Sequence, residues 1–219
     1  MFNRGAIGFG LDFQYVGQTT DNTTRSTYTF SSHDLGTPHP ERMVVVIAQL
    51  GGTSPAVSSM TVAGTTLTNA TGVGLAGVRQ VIRYAKIPAG STGDIVVNVT
   101  GTVTTCRVAV YRFNTAVTTT LDAVSNSATG TSVSADDVEC VSGGVVICAG
   151  ISDINQTITG AWNGADTLTQ DYSTGGLGLA RFAGNVLTNE DIAVNDFSIS
   201  VPSSDSLVVS AASFAFSRG

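Results

Sequence analysis

His33 and His39 share one short tract, His33-Asp-Leu-Gly-Thr-Pro-His-Pro-Glu-Arg42, with the carboxylates Asp34 and Glu41. Imidazole and carboxylate together could hold a metal, yet this spacing matches no known ligand pattern, and Pro38 and Pro40 restrict the loop. A surface turn leading into a buried strand at Met43 is expected instead. Carboxylates also gather at Asp136, Asp137 and Glu139, and at Glu190, Asp191 and Asp196. Glycoside hydrolysis needs two carboxyls facing one sugar, which neighbours on a strand, pointing to opposite faces, do not supply. Neither run has the alternating acids and glycine of a calcium loop. There is no G-x-S-x-G turn, and the glycine clusters at 72–77 and 175–178 are read as lying between strands, where neither opens a helix to cradle phosphate. These patterns predict a protein that is not an enzyme, with no catalytic residue, no metal and no cofactor. One side chain stands out for binding: Trp162, beside Asn163-Gly164, is a candidate glycan contact through the apolar face of its ring, with packing between sheets as the other reading.

Cys106, Cys140 and Cys148 cannot all pair within one chain and lack the C-x-x-C spacing of zinc or redox sites. They read as small buried apolar groups, with a Cys106–Cys140 disulfide left open. Apolar residues make up 42% and charged residues only 12% of the 219 residues, so Thr, Ser, Asn and Gly must cover the surface. Those residues suit strands and turns. A net charge of −6 with a pI near 4.6 argues against nucleic acid, which needs clustered Lys and Arg. The charge is split: residues 1–115 carry eight basic and five acidic groups, a net +3, and residues 116–219 carry two and eleven, a net −9. Complementary halves of neighbouring copies could meet head to tail, a contact that builds rings or arrays. No run of about 18 apolar residues exists, and the opening residues lack a signal peptide's apolar segment, so neither membrane insertion nor secretory targeting is expected.

The elements that must carry these residues are short apolar runs broken by Gly, Asn, Asp and Thr, the mark of a sandwich or barrel. Strands are expected at 12–18, 26–31, 42–50, 58–67, 78–87, 94–100 and 107–114. Within the last, Val108, Val110 and Arg112 alternate with Ala109, Tyr111 and Phe113, which predicts one core face and one exposed face. The order then repeats about 100 residues on. Val44-Val-Val-Ile-Ala48 returns as Val145-Val-Ile-Cys-Ala149, Arg83-Tyr-Ala85 as Arg181-Phe-Ala183, and Arg107-to-Phe113 as Leu207-to-Phe214. The fold expected is all-β: two tandem, pseudo-repeated sandwich units of immunoglobulin-like or jelly-roll type, at 12–115 and 116–219, with one large jelly roll as the alternative.

Residues 1–11 differ from the rest. Phe2, Ile7 and Phe9 are apolar groups among glycines with no place in a seven-strand unit, and they read as an extended arm that docks into a neighbouring subunit. Finally, Tyr28-Thr-Phe-Ser-Ser-His-Asp-Leu-Gly36, the strand led by Arg42, Val62-Ala-Gly-Thr-Thr-Leu67, Ile87-Pro-Ala-Gly-Ser-Thr-Gly-Asp94 and Ala211-Ala-Ser-Phe214 resemble, over most of 13–217, a family of β-sandwich virion proteins of tailed phages and prophages of α-proteobacteria. The resemblance implies an accessory virion component, a capsid decoration or head or tail fibre protein. Its partners would be other virion proteins and further copies of itself, or a host surface glycan if the module faces a receptor.

Overall fold

The computed structural model describes residues 12–114, 120–176, 178–189 and 193–216, and these contain strands and turns but no helix. Two antiparallel sheets divide the chain. The first holds β1 (Phe13–Asp21), β2 (Thr27–Asp34), β3 (Arg42–Val62), β4 (Thr65–Thr66), β5 (Thr68–Leu75), β6 (Val78–Lys86) and β7 (Thr92–Asn114). The second holds β8 (Asp122–Cys140), β9 (Val145–Ser152), β10 (Thr159–Trp162), β11 (Leu168–Gly176), β12 (Leu179–Leu187) and β13 (Ala193–Phe214). The protein is all-β, built as two β-sandwich units.

Each sheet becomes a sandwich by bending over on itself. β3 and β7 pair along nearly their whole lengths, with register shifts between Gly51 and Ser59. Their one half lies in the layer β1-β7-β3-β6-β5; the other, with β2 and β4, forms the second layer. Val44, Val46 and Ala48 from one layer meet Tyr28, Phe30, Met60 and Val62 from the other in the first core. At the bend, Ser54 and Gly101 have φ of 52° and 79°. The second unit repeats the plan: β13 shifts register between Ser200 and Asp205, β8 flanks it throughout, and β9 and then β10 take the place of β3. Val146, Cys148, Phe182, Phe197 and Ile199 fill that core.

Two strand assignments from sequence need correction. Residues 42–50 and 58–67 were expected as separate strands, as were 94–100 and 107–114. Instead β3 and β7 run on through the bends, because glycine adopts the corner conformation without breaking the ladder. The glycine clusters lie between strands only in part: Gly77 and Gly178 sit in the β5–β6 and β11–β12 turns, but Gly175 and Gly176 belong to β11, and Gly72 and Gly74 belong to β5, where a Cβ would lie 2.7 Å from Val81 Cγ1 and 2.8 Å from Arg79 Cδ, so their smallness lets β5 approach β6.

The layers β1-β7-β3-β6-β5 and β8-β13-β9-β12-β11 then pack face to face. Met43, Val45, Ile47, Tyr84, Tyr111 and Phe113 meet Val145, Ile147, Ala149, Tyr172, Ala183 and Phe214 in a third core, the seam. The strands at the seam are therefore buried on both faces, which corrects the expected exposed face of 107–114: Val108, Val110, Ala109, Tyr111 and Phe113 are all 0% exposed. The two layers are related by a pseudo-two-fold axis along the strands. Phe113 pairs with Met43, whose other partner is Lys86; Phe214 pairs with Val145, whose other partner is Leu187. These equivalent phenylalanines meet each other with ring centroids 5.3 Å apart. Reciprocally, β1 faces β11 through Tyr15 and Tyr172, and β5 packs on β8.

This symmetry moves the sequence repeat, by one residue at β9 and by three at β12. Val145 corresponds to Met43 rather than to Val44, because Val44 faces the first core whereas Met43 and Val145 both face the seam. Arg181 likewise occupies the place of Gln80, not of Arg83: Gln80 pairs with Gln49 as Arg181 pairs with Ile151.

Candidate functional site

The polar side chains best placed for chemistry are almost all used to hold the chain together. In the seam, Gln49 and Gln80 are 0% exposed. Gln49 Nε2 donates to Gly150 O at 2.7 Å and to Gln80 Oε1 at 2.8 Å, Gln80 Nε2 donates to Ala149 O at 3.1 Å, and Tyr172 donates its hydroxyl to Gln49 Oε1 at 2.9 Å. Two glutamines of the first unit thus bind backbone carbonyls of the second, which fixes how the units slide and rotate against each other. Beside them Asp171 Oδ2 accepts from Tyr111 Oη at 2.8 Å and from Asn185 Nδ2 at 3.0 Å. Burial raises the Asp171 carboxyl above its ordinary range, against those two hydrogen bonds. The Tyr111 phenol is driven far up, first by burial and then by Asp171.

The histidine tract is a turn held from below by Arg42. That guanidinium is 0% exposed; Nε donates to Ile87 O and Nη1 to Gly36 O, both at 2.8 Å, and Nη2 donates to Ala89 O at 2.8 Å and Gly90 O at 2.6 Å. A cation ringed by carbonyls ties two loops to the start of β3. His33 Nδ1, at the end of β2, lies 2.9 Å from Asp34 O, and His39 Nδ1 accepts from Glu41 N at 3.1 Å, so each imidazole makes only a local contact of its own. The acids at 136–139 lie on β8, beside its irregular pairing with β13: Asp196 accepts from Asp137 N at 3.0 Å and from Asn163 Nδ2 at 2.7 Å, and Asp122 accepts from Glu139 N at 2.9 Å. No group of three or more His, Cys, Asp and Glu poised for a metal occurs among the described residues. Cys106 and Cys140 lie in different cores, the first and the second unit's own, so they form no disulfide with each other. Burial pushes the Cys106 thiol up to about 12 and the Cys148 thiol well above its usual value, which keeps both unreactive.

Surface geometry singles out one pole. Asp12 accepts from Asn114 N through its carbonyl at 3.3 Å, and Leu121 N donates to Ser213 O at 2.9 Å. Hence β1 begins, β7 ends, β8 begins and β13 ends at the same end of the seam, around Phe13, Phe113, Phe214 and Phe216. Leu121, Leu187 and Val194, exposed by 38%, 48% and 57%, share that end. Leu187 pairs with Val145, and Val194 pairs with Glu139 just before the turn into β9. Residues 1–11 lead into β1 here; Phe2, Ile7 and Phe9, read from sequence as an assembly arm, lie outside the described residues. Trp162 is on β10, paired with Phe197 of β13. Its ring is half-buried against the second unit's core, and its indole Nε1 is buried without a hydrogen-bond partner.

Sequence reasoning passed over the seam residues Gln49, Gln80, Arg107, Tyr172 and Arg181. One signal was present: Gln49 interrupts an apolar run, and a polar side chain inside a buried strand must have a partner. No protein-family model and no curated protein matches the chain. A turret protein of Sulfolobus turreted icosahedral virus aligns with 92% of this chain and 98% of its own length, at 12% identity and a TM-score of 0.23, too low to carry an argument about fold or role.

Proposed function

We propose that this chain is a non-enzymatic structural protein of a virus particle, and more finely a capsid-decoration or head- or tail-fibre component of a tailed bacteriophage that works by protein–protein assembly. The observation that supports this most directly is the pole at which the start of β1, the end of β7, the start of β8 and the end of β13 converge around an aromatic cluster, flanked by exposed Leu121, Leu187 and Val194. Exposed apolar groups gathered at one place favour association. The rest of the molecule supports the same reading: its buried polar groups brace the fold, and its outer strands are covered with Thr, Ser and Asn. Phe2, Ile7 and Phe9 would dock into a neighbouring subunit from this pole. A glycan-binding role through Trp162 has less support, because the ring is partly sheltered by the second unit's core.

Light scattering on purified protein with and without residues 1–10 tests the proposal, with circular dichroism to confirm that both forms are folded. The expected result is a trimer or larger ring that reverts to monomer on truncation. Monomers in both forms would remove self-assembly through the arm and leave attachment to a different protein or to a host surface.

A further inference from the structure

Two cations sit in the seam with no anion to answer them. Arg181 on β12 is 2% exposed; its Nη2 donates to Thr105 Oγ1 at 2.9 Å, while its Nε is buried and has no acceptor. Arg107 on β7 lies over the Tyr172 ring, 5.5 Å from its centroid. Its Nε donates to Thr20 Oγ1 at 2.8 Å and its Nη1 to Thr174 Oγ1. The ion pairs among the described residues are Arg25–Asp21, Lys86–Glu41 and Arg112–Asp12, and none involves either seam arginine. The arginines also oppose each other: burial first, and then the charge of Arg107, pushes Arg181 down to about 10. An unmatched guanidinium out of water is costly, and the usual remedy is an anion at hydrogen-bonding distance.

Register places these groups around one patch. Thr105 and Arg107 are two apart on β7 and share a face, about 7 Å apart. Thr174 and Arg181 are cross-strand partners on β11 and β12, about 5 Å apart. Thr105 donates its hydroxyl to Asn22 Oδ1 at 2.8 Å, which leaves its oxygen to accept from Arg181. Thr174 accepts from Arg107, so its own hydroxyl hydrogen is available. The patch opens at the edge formed by β1 and β11, where Thr20, Arg107 and Thr174 are all partly exposed.

We propose that this corner of the seam binds a small inorganic oxyanion, phosphate or sulfate, between Arg107 and Arg181, with the Thr174 hydroxyl as a third donor. Guanidinium forks match paired oxygens better than a single point charge. The ion would tie β7 of the first unit to β11 and β12 of the second, so its occupancy sets how firmly the two units hold together.

The test compares thermal unfolding of the full chain at pH 7 and fixed ionic strength in sodium chloride, sodium phosphate and sodium acetate, for the wild type, Arg107→Gln and Arg181→Met. Phosphate should raise the wild-type Tm by about 5 °C at a hundred-fold excess over the dissociation constant. Arg107→Gln should lose that rise. Arg181→Met, which removes the unmatched buried cation, should be folded and insensitive to phosphate. Broadening of the phosphate 31P resonance by wild type, and not by Arg107→Gln, reads binding independently of stability. An equal rise in wild type and Arg107→Gln would be the general effect of an excluded salt and would overturn the proposal. So would an equal rise in acetate, or no response of either Tm or line width.

Discussion

At Asp171 a carboxylate is held in the seam by neutral donors alone, Tyr111 and Asn185, both on the same oxygen. Because burial raises its folded-state value above the ordinary 3.8, the native state binds the proton more tightly than the unfolded chain. Stability from this group is present at low pH and is lost as pH rises through the folded value. Asp171→Asn keeps an oxygen for both donors and removes the charge. The variant should therefore be more stable than wild type at pH 7, with the advantage shrinking toward pH 4. Thermal melts across that window check this, and a constant difference would refute the assignment. The chemistry-bearing residues most visible in the sequence, His33 on β2, His39 in the following loop and the acids at 136–139 on β8, are held apart from one another, whereas the polar partners that meet across the seam come from positions 60 to 133 residues apart. Composition and spacing report what a residue is able to do. They do not report which distant strand will face it.

Strands are where bending replaces breaking. At the corner of β3 and β7, Gly101 has a φ of 79°, and a Cβ there would lie 2.3 Å from Ser54 O. Gly101→Ala should cost about 2–3 kcal/mol, since it combines a left-handed backbone with a clash against main chain that has little room to move. Urea denaturation gives the value, and a loss under about 0.5 kcal/mol would show that the corner relaxes freely. The runs Val44–Ala48 and Val145–Ala149 were legible as strands, and so was their recurrence, because β-branched apolar residues flanked by turn formers leave few alternatives. Register was less legible. A strand buried on both faces has no polar side to fix which residue points where, so the match of Val44 to Val145 read from sequence slipped by one position and exchanged core for seam. The long strands were hidden for a related reason: glycine marks a corner and a break alike.

The whole molecule is held by a seam that resembles a dimer interface made within one chain. Residues 1–114 produced alone would leave Met43, Val45, Ile47, Tyr84, Tyr111 and Phe113 uncovered on one flat face. That fragment should self-associate, and mixing it with residues 115–219 should yield a complex with the mass of one intact chain. Size-exclusion chromatography with light scattering decides this; two monomeric halves that ignore each other would contradict the stability assigned to the seam.

A genuine two-fold dimer must show the same surface on both outer sides. Joining its halves in one polypeptide lifts that restriction, and here the first half has drifted to a net +3 and the second to −9. Among the described residues the three ion pairs all lie in the first half, and no acid of the second half is paired with a cation across the seam. The molecule is a tile with two distinguishable faces. Approaching any charged lattice, it would be turned by the field before it touches, and an acidic support would select one orientation over the other at low salt and lose that preference as salt is added.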